Sequence, residues 1–520
     1  MALLSVSELL SQAAARAGER PAVIAAGRVI SFRELDERCS RLAEGWAARG
    51  VGPGTRAALL VPPGIEFVSL AFALFRCGAV PVLIDPGIGW RNMGRCLDEA
   101  EPEVFIGSAK AQAARLIGGW GKRSIKTVLS PDGTAAPRGG AAGVRTCGPD
   151  LQDGKMAAIL FTSGSTGAPK GAVYTQSIFA HQAEMLREHF GIEPGGFSVA
   201  TFPLFALFDV ALGQSTIIPR MDATRPAQVD PLEIALPIQK HGAVQLFGSP
   251  ALLDTVGRYG ERHGVCLPSL KRVLSAGAPV PAKVLARLAR MLPPGAEIHT
   301  PYGATEALPV ACITAAEVLG ETAALTAQGR GICVGRPWPG MQVSIIGISD
   351  EPIPAWSDGL CLPRGMTGEI VAAGPVVTRE YFRRSRDTAL AKIPDQAGVR
   401  HRMGDLGYLD ASGRLWFCGR KSHRVGGLFT IPCEGVFNGH PGVRRSALVG
   451  AASGPVLCVE LEAGAREEEV RRELLQLAQR FEHTKLIRTV LFHPRFPVDV
   501  RHNAKIAREK LAVWAEGRLT

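Results

Sequence analysis

An α/β fold of helix-covered sheets is predicted by the alternation of short apolar runs with amphipathic helical patterns along most of the chain. Composition supports it. Sixty glycines and 37 prolines in 520 residues supply many tight connections, and 46% hydrophobic against 21% charged residues is the balance of an ordinary globular enzyme rather than a low-complexity polymer. A chain of this length exceeds what one core holds, so more than one domain is expected.

In order along the chain, Met1 to Arg16 reads as an amphipathic helix with neither a basic start nor a long uncharged apolar core, so no secretion signal is expected. Helical patterns at Phe32 to Ala48 and Gly64 to Cys77 alternate with apolar runs at Ala57 to Val61 and Val80 to Ile84. Arg76, Gly78 and Pro81 break the apolar stretch Phe67 to Ile84, which argues against a transmembrane segment. Ser130 to Asp150 is rich in Gly, Ala and Pro and reads as a linker or long loop. Apolar runs resume at Met156 to Phe161, Ala243 to Phe247, Arg272 to Leu274 and Glu297 to His299. Between them, a helix from Pro281 to Leu292 sets Val284, Leu285, Leu288 and Leu292 on one face and Lys283, Arg287 and Arg290 on another. Strand, helix and strand in regular order imply parallel sheets, whose ligands sit beyond the carboxyl ends of the strands.

Eleven cysteines lie scattered without Cys-x-x-Cys or paired His spacing, which fits reduced thiols in a cytoplasmic protein better than a disulfide framework or a zinc site. The formal charge is +11, and residues 471–520 carry eleven Lys/Arg against five Asp/Glu. Such a surface attracts anions. Without an aromatic-interleaved basic stripe or a nucleic-acid motif, a nucleotide, a pyrophosphate or an acidic partner accounts for it, and nucleic acid is not expected.

The run Thr162-Ser163-Gly164-Ser165-Thr166-Gly167-Ala168-Pro169-Lys170-Gly171 follows an apolar strand and combines hydroxyl donors, a lysine and glycines that let backbone N–H groups approach an anion. It is not a Walker loop, because Pro169 and Gly171 occupy positions that motif reserves for glycine and a hydroxyl. A polar surface loop is the plainer alternative. Small-residue or polar segments follow later runs: Ser275-Ala276-Gly277-Ala278-Pro279, then Thr300-Pro301-Tyr302-Gly303-Ala304-Thr305-Glu306, then His401 to Tyr408. A small-residue turn admits a flat ring, a tyrosine stacks on it, a hydroxyl with a carboxylate holds Mg²⁺, and an aspartate accepts from ribose hydroxyls. Together these read as a site for ATP with Mg²⁺. Singly, Asp405 reads as well as a cap on the turn Gly404 to Gly407, and Arg420 as the partner of a surface carboxylate.

These segments, with Gly368-Glu369-Ile370, Gly374, Gly404-Asp405, Gly419-Arg420 and the tail Arg501 to Arg508, resemble the acyl-adenylate-forming superfamily of acyl-CoA synthetases, peptide-synthetase adenylation domains and luciferases. The resemblance covers essentially the whole chain. It implies a large N-terminal domain of helix-covered sheets, residues 1–420, and a small mobile α+β C-terminal domain, residues 421–520. It implies that Thr162, Ser163, Gly164, Ser165, Thr166, Gly167 and Lys170 cradle phosphates, and that Thr305 and Glu306 place phosphate and metal, with Glu306 and Thr166 as Mg²⁺ ligands. Gly277, Ala278, Pro279, Tyr302 and Gly303 would bracket the adenine, Asp405 and Arg420 would take the ribose, and Lys505 would be the catalytic cation.

The sequence also departs from the superfamily's usual pattern. At the expected hinge, Lys421-Ser422-His423-Arg424-Val425-Gly426 stands where paired aspartates and a lysine are usual, and two extra residues precede Lys505. With Thr201 to Phe208, Cys333 to Pro337 and Arg402 to Cys418, these departures resemble the β-lactone synthetases of olefin biosynthesis. That branch implies activation of a 2-alkyl-3-hydroxy fatty acid as acyl-AMP, then attack by the substrate's own 3-hydroxyl to close a β-lactone. It also implies other enzymes of a hydrocarbon-forming assembly as partners. Phe202 to Phe208 would wall an alkyl pocket or simply pack the core. A fatty acyl-CoA or carrier-protein ligase with an altered hinge is the alternative, and an inactive nucleotide-binding scaffold is a third. His181 and His299 lie near site motifs and are expected to be packed or capping residues.

Overall fold

The computed structural model describes residues 3–132, 155–162, 168–498 and 506–519. The first helix, Val6–Ala17, and the helix Phe32–Ala47 both begin with a capping box: Ser5 with Glu8 and Ser31 with Glu34 satisfy each other's backbone donors. The helix Ile65–Arg76 is buried at every position from Ile65 to Phe75 except Glu66, so its apolar character belongs to the core. Among the described residues no helix is long and apolar enough to cross a membrane.

Two sheets carry the large N-terminal part. In the six-stranded sheet, Thr127–Leu129, Val104–Gly107, Arg56–Leu60, Val80–Ile84 and Met156–Thr162 run parallel, and Lys170–Thr175 closes the edge antiparallel. Among the described residues the larger sheet has 14 strands. Its parallel half comprises Pro21–Ala25, Ser215–Ile218, Phe197–Ala200, Gln245–Phe247, Arg272–Leu274 and Glu297–Ala304. The other half is antiparallel and joins Ala307–Thr314, Ile332–Pro337, Leu415–Arg420, Gly398–Leu409, Gly368–Ala373 and Gln342–Ile346. The expectation of parallel sheets is therefore corrected for this half, where short turns join Glu297–Ala304 to Ala307–Thr314 and Gly398–Leu409 to Leu415–Arg420 as antiparallel hairpins.

The predicted helix Pro281 to Leu292 is shorter, Ala282–Ala289, with Val284, Leu285 and Leu288 buried and Pro281 preceding it. The run Glu297 to His299 is longer than expected. It continues as strand to Ala304, turns over Thr305 and Glu306, and returns as Ala307–Thr314 in a hairpin. Asp405 likewise lies inside the strand Gly398–Leu409, which excludes its reading as a turn cap. Of the expected linker Ser130 to Asp150, residues 133–150 lie outside the described residues.

Beyond Arg420 a short 3₁₀ turn, Lys421–His423, leads to a three-stranded sheet of Val443–Ala451, Gly454–Leu461 and Thr489–Phe492 with helices Thr430–Asn438, Glu467–Ala478 and Arg508–Leu519. Leu448, Leu457, Val470 and Leu474 fill one core there, and Val449, Val456, Phe496 and Leu511 a second. The helix Thr430–Asn438 approaches the larger part so closely that a Cβ on Gly435 would collide with the Thr326 carbonyl oxygen.

One buried acid lies outside the predicted site. Asp209, in the helix Pro203–Ala211, is 2% exposed and accepts from Thr216 Oγ1 at 3.2 Å and Gln245 Nε2 at 3.0 Å. Burial pushes its carboxyl up to about 7, against those hydrogen bonds and the charge of Arg272. A folded-state value above the unfolded one gives stability that is present below the unfolded value and is lost as pH rises through about 7. Urea unfolding should therefore show the protein losing about 2 kcal/mol between pH 5 and pH 8 from this group, and Asp209→Asn should flatten that dependence. An unchanged pH slope in the variant would exclude Asp209 as its source.

Candidate active site

The hairpin tip and the antiparallel half of the large sheet bring together residues far apart in sequence. Asp405 and Arg420 are cross-strand partners. Their side chains meet at 2.9 Å, and the Tyr302 hydroxyl donates to the other Asp405 oxygen at 2.7 Å. Asp405 is only 5% exposed, so both interactions act in a low-dielectric setting. The carboxylate beside it holds the Arg420 guanidinium more firmly protonated, while burial and the charge of Asp405 push the Tyr302 phenol well above its ordinary range. Arg420 also donates to the Met403 carbonyl at 3.2 Å. This trio is thus one hydrogen-bonded unit, and the surface carboxylate expected for Arg420 is a buried one.

Gly303 must be glycine, because a Cβ there would stand 2.6 Å from the Ala307 carbonyl oxygen across the hairpin. At the tip, Tyr174 donates to the Thr305 carbonyl at 2.6 Å. Tyr381 donates to Glu306 Oε1 at 2.7 Å, and the Thr378 backbone N–H donates to the Glu306 carbonyl at 2.9 Å. Among the described residues, Glu306 Oε2 accepts no hydrogen bond. A hard cation takes a free carboxylate oxygen of this kind, so the residue fits Mg²⁺.

Lys170 begins the edge strand of the smaller sheet opposite Thr162, forms an ion pair with Asp387 at 2.7 Å and lies 5.2 Å from the Tyr381 ring centroid. It therefore shares Tyr381 with Glu306. Thr162 ends its strand, while Ser163, Gly164, Ser165, Thr166 and Gly167 lie outside the described residues, as does Lys505. Gly277, Ala278 and Pro279 form the loop after Arg272–Leu274, with Gly277 at φ 95°. Ser275, which opens that loop, donates its backbone N–H to the His299 carbonyl at 3.0 Å, and its buried hydroxyl has no partner among the described residues. Ala276 and Tyr302 pack against the same apolar cluster as Phe417.

That cluster also takes Phe202, Phe205 and Phe208. They belong to or flank the helix Pro203–Ala211, and Phe205 stacks on Phe247 with ring centroids 3.9 Å apart. His181 caps back onto the Ser177 carbonyl at 2.8 Å, and His299 packs between Phe190 and His189 and lies 3.2 Å from Glu297, so neither is aimed at the hairpin tip.

The turn Lys421–His423 is tied to residues of the antiparallel half of the larger sheet and its loops. Lys421 donates to the Ser349 carbonyl at 2.7 Å and lies 3.5 Å from Glu369, which forms a buried pair with Arg402 at 2.7 Å. His423 lies 3.6 Å from Glu509, but burial and the nearby Arg508 push its imidazole down to about 4, so this contact is not an ion pair at neutral pH. Sequence reasoning missed Tyr381, Thr378, Lys392 and the Arg402–Glu369 pair. The segments Gly368-Glu369-Ile370 and His401 to Tyr408 held the two members of that pair, but nothing local showed that they meet.

Residues 10–382 match the family model for AMP-binding enzymes. An olefin beta-lactone synthetase of Stenotrophomonas maltophilia is 49% identical over 516 residues, 94% of this chain and 92% of the relative. A second, of Xanthomonas campestris, is 47% identical over 94% of this chain and 91% of its own length. Among solved structures, an amide bond synthetase from Marinactinospora thermotolerans is 23% identical and superposes with a TM-score of 0.79, covering 98% of this chain and 99% of that one. An o-succinylbenzoate CoA synthetase from Bacillus subtilis, in complex with an acyl-adenylate intermediate, is 22% identical, with a TM-score of 0.77 and 97% of each chain covered. The last two show the shared fold. The span of the family model and the near-half identity to the first two relatives establish that the chain belongs to the AMP-binding enzyme family.

Proposed function

We propose that this protein is an ATP-dependent, AMP-forming ligase that activates a 2-alkyl-3-hydroxy fatty acid and closes it to a β-lactone. The observation that carries the adenylating half is the convergence of the Tyr302–Asp405–Arg420 unit with Glu306 and Lys170 around one hairpin tip. Near-half identity to two olefin beta-lactone synthetases supports the second half.

In this reading Asp405 and Arg420 hold the ribose hydroxyls. Each carboxylate oxygen has two lone pairs, so a ribose hydroxyl adds to the Tyr302 and Arg420 bonds rather than displacing them. Tyr302, Gly303, Gly277, Ala278 and Pro279 flank the adenine. Thr162 to Gly167 and Lys170 take the β- and γ-phosphates, with Thr305, Thr166 and Glu306 placing phosphate and metal. Bound Mg²⁺ would neutralise charge on the departing pyrophosphate. Lys505 stabilises the charge that spreads as the substrate carboxylate attacks the α-phosphorus and the bond to pyrophosphate breaks. The 3-hydroxyl oxygen then bonds to the acyl carbon, its proton leaves, and AMP departs. An internal nucleophile has a high effective concentration and needs no second substrate.

The aromatic face of the helix Pro203–Ala211 is assigned to the alkyl chains. We place the domain boundary at Lys421–His423, where Lys421 bonds back to the large domain. A cytoplasmic location belongs to the proposal, in keeping with the free thiols of all the described cysteines, and so does a role beside other enzymes of hydrocarbon formation. Incubation with ATP, Mg²⁺ and a racemic 2-alkyl-3-hydroxy acid, with and without CoA, tests it. Lactone and AMP are expected without CoA. A CoA-dependent thioester with no lactone would instead identify an acyl-CoA ligase.

A further inference from the structure

Beside the two residues that hold Glu306 lies a lysine that the assigned nucleotide contacts leave unused. Lys392, in the strand Lys392–Asp395, is 4% exposed. Its Nζ donates to Thr378 Oγ1 at 3.0 Å and lies 5.9 Å from the Tyr381 ring centroid. Both neighbours hold Glu306. Thr378 Oγ1 donates to the Glu306 carbonyl at 3.1 Å, and the Tyr381 hydroxyl donates to its carboxylate at 2.7 Å.

Packing alone does not account for a lysine here. Burying an ammonium against one neutral hydroxyl costs stability, and an unbranched apolar side chain would fill the same space without that cost. Burial pushes Lys392 down to about 7, and the charge that opposes its deprotonation is that of Glu306. Its cross-strand neighbour His401 is 2% exposed and is held neutral by burial and by Lys392 itself. His401 therefore adds no competing charge.

We propose that Lys392 is a positioning residue for Glu306: through Thr378 it fixes the Glu306 backbone at the hairpin tip, and by its charge it weakens the carboxylate's hold on a divalent cation. This rests on the reading of Glu306 as the Mg²⁺ ligand. Two cations sharing one carboxylate repel, and at the dielectric of such sites the repulsion readily amounts to about a tenfold change in affinity. Glu306 would then retain metal firmly enough to order the phosphates, yet release it with pyrophosphate.

The test is a coupling measurement at pH 6, below the Lys392 value of about 7 so that its charge is present, and made without carboxylic acid so that no turnover occurs. ATP dissociation constants are measured by calorimetry with saturating Mg²⁺ and with EDTA, and the EDTA value divided by the Mg²⁺ value reports how strongly metal and nucleotide assist each other. Lys392→Met should raise that ratio about tenfold. Lys392→Gln, which keeps a donor toward Thr378 but no charge, should do the same, and its soluble fold guards against a misfolded Met variant. A purely structural role would lower the ratio together with the melting temperature. Native ratios in both variants overturn the proposal, and a rise in Lys392→Met alone assigns the effect to the hydrogen bond and overturns the charge argument. Glu306→Gln separates the two levels: a native ratio there refutes Glu306 as metal ligand, whereas its collapse beside unaltered Lys392 variants refutes the present proposal only.

Discussion

Lys505→Ala is expected to cut acyl-AMP formation by about 10²–10³ while leaving ATP binding within a few-fold of the native protein. The asymmetry follows from where charge builds up. In the proposed ground state the ribose is held by the Asp405–Arg420 pair, which this substitution does not touch. In the transition state a carboxylate approaches a phosphoryl group, both anionic, and a preorganised cation is worth far more there than in the binary complex. The chain just beyond Lys505 is well anchored for such a task. Ile506 pairs with Val498, Arg508 donates to the buried Glu434 at 2.8 Å, and Glu509 lies beside His423. Acid-dependent exchange of labelled pyrophosphate into ATP measures the effect. Equal exchange by the native and Ala proteins would remove Lys505 from the mechanism and reopen the reading of this chain as a nucleotide-binding scaffold.

The parts of the site that were legible in the sequence are those whose chemistry is written in consecutive residues. The hydroxyl and glycine run at Thr162 to Gly171 and the segment Tyr302 to Glu306 announce themselves because a phosphate or a flat ring needs small residues and donors side by side. Tyr381, Thr378 and Lys392 were not legible. Tyr381 and Thr378 reach Glu306 from more than 70 residues away, Lys392 stands behind Thr378, and no local pattern distinguishes them from core residues. The secondary structure of the site was misread for a related reason. Gly404 and Gly407 look like turn glycines, but Gly407 serves close strand packing, since a Cβ there would collide with the Trp416 carbonyl oxygen. The hairpin at Thr305–Glu306 lacks the Asn-Gly or Asp-Gly signal of a two-residue turn because those positions hold the residues assigned to phosphate and metal. Helices with capping boxes or a clear apolar face, such as Phe32–Ala47, were read almost to the residue.

Asp405→Ala is expected to damage stability and nucleotide binding together, which no substitution at the phosphate loop should do. Asp405 serves two buried partners at once, accepting from Tyr302 at 2.7 Å and pairing with Arg420 at 2.9 Å. Removing one member of a buried pair leaves an uncompensated cation, typically at 3–5 kcal/mol. The Arg420 side chain keeps 31% of its exposure and water can reach it, so about 3 kcal/mol is the expected loss. The ribose loses its carboxylate as well, so ATP affinity should fall by at least about tenfold beyond what the destabilised fold explains. Asp405→Asn separates the contributions, because an amide still accepts from the tyrosine but cannot pair with the guanidinium. Tyr302→Phe removes one hydrogen bond and should cost only about 1 kcal/mol. Denaturant midpoints should therefore fall in the order Ala, then Asn, then Phe, and calorimetric ATP affinities in the same order. A Tyr302→Phe protein that unfolds as readily as Asp405→Ala would mean that the phenol, and not the ion pair, holds the two strands in register, and an Asp405→Ala protein that binds ATP normally would move the ribose site elsewhere.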